Sequence, residues 1–167
     1  MTAGVMAGER FRSWAEIQAN AARAAGGLEA LGVGENGSVA LMLRNDFATF
    51  EVNMASSQIG AYAVPINWHF TPEEASYILR DSGASVLVAH TDLLAQIAGG
   101  VPEGVKVFAV PTPDEIATGY AVPDENRRVP SVADSWEQFV AASAPRTAPP
   151  RPSRGSMIYT SGTTGRP

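Results

Sequence analysis

Apolar residues recur at helical spacing near the start of the chain, and they predict an amphipathic helix over residues 13–31. The apolar stripe consists of Trp14, Ile17, Ala21, Ala24, Leu28 and Leu31. Ser13 and Glu16 have the spacing of a capping box, in which the hydroxyl and the carboxylate satisfy free backbone N–H groups of the first turn. Gly32 is expected to end the helix.

Short apolar runs bounded by turn residues predict buried strands at 38–43, 61–66, 84–90 and 105–110. Pro65 is expected near the end of its strand or at a sheet edge, because proline cannot donate to a strand ladder. Helical patterns separate these runs. This alternation favours an α/β fold with a mainly parallel sheet and flanking helices.

Three further helices are predicted within the same region. The first begins at Asn45 or Asp46 and ends at Gly60, with an inner face of Phe47, Phe50 and Met54. The second begins at Thr71-Pro72-Glu73-Glu74, where a capping threonine precedes a proline at the first helical position. It carries Ile78 and Leu79 and ends at 81–83, and the third is a short helix over 91–98.

The pattern weakens after residue 110. Residues 111–133 are rich in Pro, Asp, Asn and Gly and are predicted to form a surface connection, followed by one more helix at 134–143. The Pro/Arg-rich stretch at 144–155 predicts a linker without regular structure. The expected organisation is therefore an incomplete α/β subdomain (1–143), a linker (144–155), and a strand with the start of a loop (156–167).

The composition and net charge of the chain exclude some classes of function. The chain has 167 residues, is 45% hydrophobic and 17% charged, has a formal net charge of −5 and contains no cysteine. An acidic chain is a poor general nucleic-acid binder, and the lack of Cys excludes disulfides and thiolate sites. The sequence shows neither a signal peptide nor a transmembrane segment, so a cytoplasmic location is expected.

Two weak motifs have simpler interpretations. The letters of Gly32–Gly37 match G-x-G-x-x-G, but a helix precedes them and a strand follows, which is the reverse of the dinucleotide-binding order, so a plain turn is expected. His69 and His90 stand far apart, and we expect surface or loop positions and no metal site.

The last residues have the composition of an anion-binding loop. Thr160 to Pro167 carry four hydroxyl side chains and two glycines directly after the apolar run Met157–Tyr159. Glycines let backbone N–H groups turn inward around an anion, and hydroxyls add donors. The glycine spacing is not that of a Walker loop. A flexible Ser/Thr/Gly tail is the alternative that composition alone leaves open.

IYTSGTTGRP at 158–167 resembles the phosphate-loop signature of the adenylate-forming (AMP-binding) enzymes, which include acyl-CoA synthetases. Weaker similarities lie at Ser13–Ile17, at Ile59–Asn67 and in the TPEEASYILRDSGASVLV segment. The resemblance covers nearly the whole chain and implies the N-terminal third of such an enzyme. It implies activation of a carboxylic acid by ATP with Mg²⁺, followed by acyl transfer to a thiol, usually that of coenzyme A.

Site residues follow from the resemblance by position. It implies that the β- and γ-phosphates contact Thr160, Ser161, Gly162, Thr163, Thr164 and Gly165. The family's loop lysine, acid and adenine pockets, metal-binding Glu and catalytic Lys all lie further along such enzymes. No catalytic or metal-binding residue is therefore assigned here, and the 167-residue chain alone is expected to be inactive.

Asn67, where amino-acid adenylating domains usually carry Asp, favours a fatty or related acid–CoA ligase over such a domain. A non-catalytic or complementing module with the same fold is the other alternative. An early end to the sheet would leave an open edge, so dimerisation or aggregation through that edge is expected.

Overall fold

The computed structural model describes residues 2–160 and begins with a hairpin that the sequence pattern did not predict. Strands β1 (Gly4–Ala7) and β2 (Arg10–Ser13) pair antiparallel, with Met6 opposite Phe11. Gly8 makes the turn in the left-handed region (φ 60°), which glycine adopts without strain. Strands of four residues are too short to show a clear alternation of apolar and polar positions.

The main sheet has five parallel strands in the order β4-β3-β5-β6-β7. The strands are β3 (Ser38–Met42), β4 (Tyr62–Pro65), β5 (Ala84–His90), β6 (Lys106–Val110) and β7 (Asp134–Ser135). The α/β class and the parallel sheet are thus confirmed. Pro65 is the last residue of β4, which agrees with its missing N–H donor.

Residues 2–160 form six α-helices. They are α1 (Trp14–Ala30), α2 (Phe47–Gln58), α3 (Pro72–Asp81), α4 (Thr91–Ile97), α5 (Asp114–Gly119) and α6 (Trp136–Ala142). The predicted capping box of Ser13 with Glu16 is present at α1, and the predicted capping threonine, Thr71, forms a second box with Glu74 at α3. No helix within residues 2–160 is long and apolar enough to cross a membrane.

The helices divide between the two faces of the sheet. One apolar core joins α1, α2 and α6 to the sheet through residues such as Leu28, Val52 and Trp136. The other core joins α3 and α4 to the opposite face through Ile78, Leu79 and Leu93. Each strand of the centre is therefore covered on both sides, which explains its uninterrupted apolar sequence.

Glu51 is a buried carboxylate within the first core region. Its Oε1 accepts hydrogen bonds from Arg12 (2.6 Å) and Asn20 (2.8 Å), and its Oε2 accepts one from Trp136 Nε1 (3.0 Å). These donors come from the hairpin, α1 and α6. Glu51 thus joins three separate elements to α2 at one point.

Four sequence predictions need correction. Trp14, Leu31 and Phe50 were assigned to buried helix faces but are exposed, and Trp14 packs edge-to-face on Phe50 at 5.5 Å between ring centroids. Both rings lie on the outer side of their helices, since Ile17 and Phe47 in the same first turns are buried. Residues 111–133 are not only a loop, because they contain α5 and a 3₁₀ turn at Asp124–Arg127.

The Pro/Arg-rich stretch at 144–155 has no regular secondary structure but is bound to the subdomain. The Arg146 backbone N–H donates to Ala22 O (2.8 Å), and the Arg151 N–H donates to Gln58 O (3.0 Å). The Arg146 side chain pairs with Glu29 at 3.1 Å. The segment therefore crosses α1 and the end of α2 before it reaches the sheet.

Candidate functional site

The chain reaches the predicted phosphate loop along the outer side of β4. Ser156 forms an isolated parallel bridge with Ala63. Ala63 N–H donates to Gly155 O (3.3 Å), and Met157 N–H donates to Ala63 O (2.9 Å). No strand forms at Met157–Tyr159, where one was predicted; the chain instead makes a single bridge at Ser156. This bridge covers the edge of β4 at Ala63.

Tyr159 anchors the chain directly before the predicted phosphate loop. Its hydroxyl donates to Asp81 Oδ2 at 2.6 Å, and its ring lies edge-to-face on Tyr77 with the centroids 6.4 Å apart. Burial and then the Asp81 carboxylate raise the pKa of the Tyr159 phenol to about 12. The end of α3 therefore holds the residue that directly precedes Thr160.

The structure describes only the first of the predicted phosphate contacts. Thr160 is exposed and outside regular secondary structure, next to the anchored Tyr159. The other five predicted contacts, Ser161, Gly162, Thr163, Thr164 and Gly165, lie outside the described residues. Their assignment stays a prediction from the sequence.

A buried polar network lies where β3 and β5 end. Asp46 occupies the N-cap position of α2 and pairs with Arg10 (Oδ1–Nη2, 2.8 Å), while His90 Nε2 lies 3.4 Å from Asp46 Oδ2. His90 Nδ1 accepts the Arg44 backbone N–H at 3.1 Å, so Nε2 carries the proton of a neutral ring. His90 is fully buried, which corrects the predicted surface or loop position.

The charge of Asp46 is stabilised within this network. Burial alone would raise the pKa of its carboxyl, but hydrogen bonds from His90 and the Phe47 backbone, together with Arg10, outweigh burial. The net effect lowers the pKa from 3.8 to about 2. Asp46 is therefore an anion over the whole neutral and mildly acidic range.

A second pair adjoins the first. Arg44 Nη1 lies 2.7 Å from Asp92 Oδ2, and Asp92 Oδ1 accepts the Thr112 hydroxyl at 2.6 Å. Arg44, Asp92 and Thr112 follow β3, β5 and β6, so parallel strands bring together residues that lie far apart in sequence. The sequence analysis did not find this cluster, because only the strand order reveals which strand ends are neighbours.

The comparisons with known proteins agree with the fold. The family model described as "AMP-binding enzyme" matches residues 2–167. A long-chain-fatty-acid–CoA ligase from Thermus thermophilus is 31% identical over 163 residues, which cover 96% of this chain and 28% of that protein. A feruloyl-CoA synthase from Amycolatopsis sp is 36% identical over 114 residues, 64% of this chain and 23% of that protein.

Solved structures show the same fold. The crystal structure of an anthranilate CoA ligase in complex with anthranoyl-AMP superposes with a TM-score of 0.79 at 24% identity, over 98% of this chain and 30% of that one. A benzoate CoA ligase from Burkholderia xenovorans gives a TM-score of 0.67 at 19% identity, over 83% of this chain and 25% of that one. The chain spans about a quarter of the length of the curated relatives it matches. It belongs to the AMP-binding enzyme family and corresponds to a partial N-terminal region of such a protein.

Proposed function

We propose that this chain is the N-terminal part of an ATP-dependent acid–CoA ligase. The observation that carries the proposal is that the family match spans residues 2–167 while the similar proteins are themselves named as CoA ligases or CoA synthases. In this reaction a substrate carboxylate attacks the α-phosphorus of ATP and pyrophosphate leaves. The coenzyme A thiol then attacks the acyl carbonyl, and AMP leaves with the electron pair of the broken C–O bond.

The loop that begins at Thr160 supplies the phosphate contacts in this proposal. In this proposal the backbone N–H groups of the loop bind the β- and γ-phosphates, and the hydroxyls of Thr160, Ser161, Thr163 and Thr164 donate to phosphate oxygens. Such donors stabilise the negative charge that grows on pyrophosphate as it departs. The anchored Tyr159 supports this role because it fixes where the loop begins.

Mg²⁺ is part of the proposed reaction, but the described residues do not fit it. Within residues 2–160, no three His, Asp or Glu side chains are grouped so that they could hold a metal ion. We therefore assign no metal ligand in this part of the chain and derive no step through the ion.

The proposed substrate is a fatty or related acid. The similar proteins bear names that range from long-chain fatty acids to ferulate, and Asn67 supports an acid–CoA ligase over an amino-acid adenylating domain. The acid pocket and the catalytic lysine of the family are expected further along the protein. The 167-residue chain alone is accordingly proposed not to form adenylates.

ATP–pyrophosphate exchange tests these proposals. It is measured with the 167-residue chain and with the gene product that contains it, using dodecanoate, ferulate and an amino acid as alternative substrates. We expect exchange only from the longer protein and only with a non-amino acid. Thr163→Val should lower the exchange rate by about tenfold or more, because a phosphate donor is lost. The matched control, Ser131→Ala, removes an exposed hydroxyl and should leave the rate unchanged.

Exchange by the 167-residue chain alone would contradict its proposed inactivity. Absence of exchange in the longer protein with every acid would contradict the ligase proposal and favour a non-catalytic module.

A further inference from the structure

The strand order creates a reversal point in the sheet. The chain passes from β3 outward to β4, then returns across β3 to β5 and continues to β6 and β7. Helix α2, which follows β3, lies on one face of the sheet, and α4, which follows β5, lies on the other, so that the loops after β3 and β5 diverge. In open parallel sheets, ligands bind at the carboxyl ends of strands at this kind of point.

Arg44 lies directly beyond that point. Its side chain is only 10% exposed, with Nη1 paired to Asp92. Its guanidinium carbon lies 5.3 Å from the ring centroid of Trp68 and 4.6 Å from that of Tyr120. The guanidinium is thus held between two aromatic side chains from different loops, an arrangement that fixes its orientation.

One donor of this guanidinium is unused. Within the part of the chain that the structure describes, Arg44 Nε is buried and has no hydrogen-bond acceptor. A buried donor without a partner is costly, and such groups in folded proteins need an explanation. A carboxylate is the best match for the Nε edge of a guanidinium, because its two oxygens accept two parallel N–H groups.

Two adjoining cavities open beside the same three side chains. One has a volume of about 360 Å³ and is also lined by Gln96 and Asn126; the other has about 390 Å³ and is also lined by Ile116. Arg44, Trp68 and Tyr120 line both. These volumes suit a ligand of one aromatic ring.

The wall of the first cavity also contains a strained residue. Ala121 has a φ of 52°, a left-handed conformation that costs a non-glycine residue about 1 kcal/mol. Ala121 directly follows Tyr120, whose ring lies over the Arg44 guanidinium. Strained residues of this kind concentrate at ligand sites.

We propose that the cleft formed by Arg44, Trp68 and Tyr120 binds a small aromatic carboxylate. The carboxylate accepts the Arg44 Nε–H, and the ring packs against Trp68 and Tyr120. Asp92 does not prevent this, because its charge is already shared by Arg44 Nη1 and the Thr112 hydroxyl. The site involves none of the residues 160–167 and does not depend on the proposed ligase function.

Titration of the ¹⁵N-labelled 167-residue chain with benzoate tests the proposal. We expect saturable shifts of the Arg44 Nε–H, the Trp68 indole N–H and the Tyr120 amide, with a Kd of about 1 mM. Arg44→Gln and Trp68→Leu should each weaken binding by about tenfold or more. Arg80→Gln, which removes an exposed arginine on α3, is the matched control and should leave the Kd unchanged.

Tyr120→Ala provides a second test of the binding site if the Arg44→Gln variant does not fold. Tyr120 is 54% exposed, so its truncation should preserve the circular dichroism spectrum while weakening benzoate binding several-fold. Cyclohexanecarboxylate, benzylamine and inorganic phosphate serve as comparison probes and should bind more weakly than benzoate.

The proposal is overturned if these resonances do not move at about 20 mM benzoate. It is also overturned if the shifts map to other residues, or if phosphate or benzylamine binds as tightly as benzoate.

Discussion

Asp46 provides the sharpest test of the buried network, because its contribution to stability depends on pH. Its folded-state pKa is about 2, against an ordinary value of 3.8. At 1.36 kcal/mol per pKa unit, this difference corresponds to about 2.5 kcal/mol of stability at neutral pH. That is a large part of the 5–15 kcal/mol that stabilises an ordinary domain.

The direction of the pH effect follows from the lowered pKa. The unfolded chain takes up the proton more readily than the folded chain, so the contribution is fully present above about pH 5. The contribution of Asp46 to the free energy of unfolding falls by about half at pH 3 and is mostly lost at pH 2. Asp46→Asn should therefore destabilise the protein by about 2.5 kcal/mol at pH 7 and by about half as much at pH 3. Asp46 forms an ion pair with Arg10 and a hydrogen bond with His90. Arg10 also forms an ion pair with Glu115, which is the other charged group near Asp46.

Urea denaturation followed by circular dichroism at pH 7, 5, 4 and 3 measures the difference. With an m-value of about 2 kcal/mol/M, the midpoint of Asp46→Asn at pH 7 should shift by about 1 M. Asp124→Asn is the control, because Asp124 is 89% exposed and should shift the midpoint little. A difference between wild type and Asp46→Asn that is equal at pH 7 and pH 3 would refute the assigned electrostatic role.

Three further changes probe other contacts. Glu51→Ala leaves three donors without their buried acceptor and should lower the free energy of unfolding by about 3 kcal/mol, measured by urea denaturation. Gly26→Ala places a Cβ against the backbone oxygen of Ala144, so the 144–155 segment should detach and tryptic cleavage after Arg146 should accelerate. Asp81→Asn should return the pKa of Tyr159 from about 12 toward 10, measured by phenolate absorbance.

Each of these changes has a control that removes a similar group elsewhere. Glu137→Ala deletes an exposed carboxylate on α6, and Gly99→Ala adds a methyl group where no atom lies within 4 Å. Glu103→Gln neutralises an exposed carboxylate that lies outside α3 and does not accept a hydrogen bond from the Tyr159 hydroxyl. If the control and the test variant behave alike in any pair, the corresponding contact does not have the assigned role.

Local sequence signals predicted the elements well where the cause was local. The capping boxes at Ser13 and Thr71 and the strand at 84–90 depend on near neighbours and were confirmed. The burial of His90 and the pairing of Arg44 with Asp92 depend on which strand ends become neighbours, and no local pattern encodes that order. The hairpin was missed because it relies on eight residues of weak alternation.

The backbone contacts made by residues 146, 151 and 157 have a consequence for biosynthesis. Their partners lie on α1, at the end of α2 and on β4, all of which leave the ribosome much earlier. The late segment can dock only onto a surface that has already formed, and contacts of such long sequence separation form late because loop closure is costly. The position of Thr160 therefore depends on α1, α2 and β4 being formed beneath the segment that precedes it.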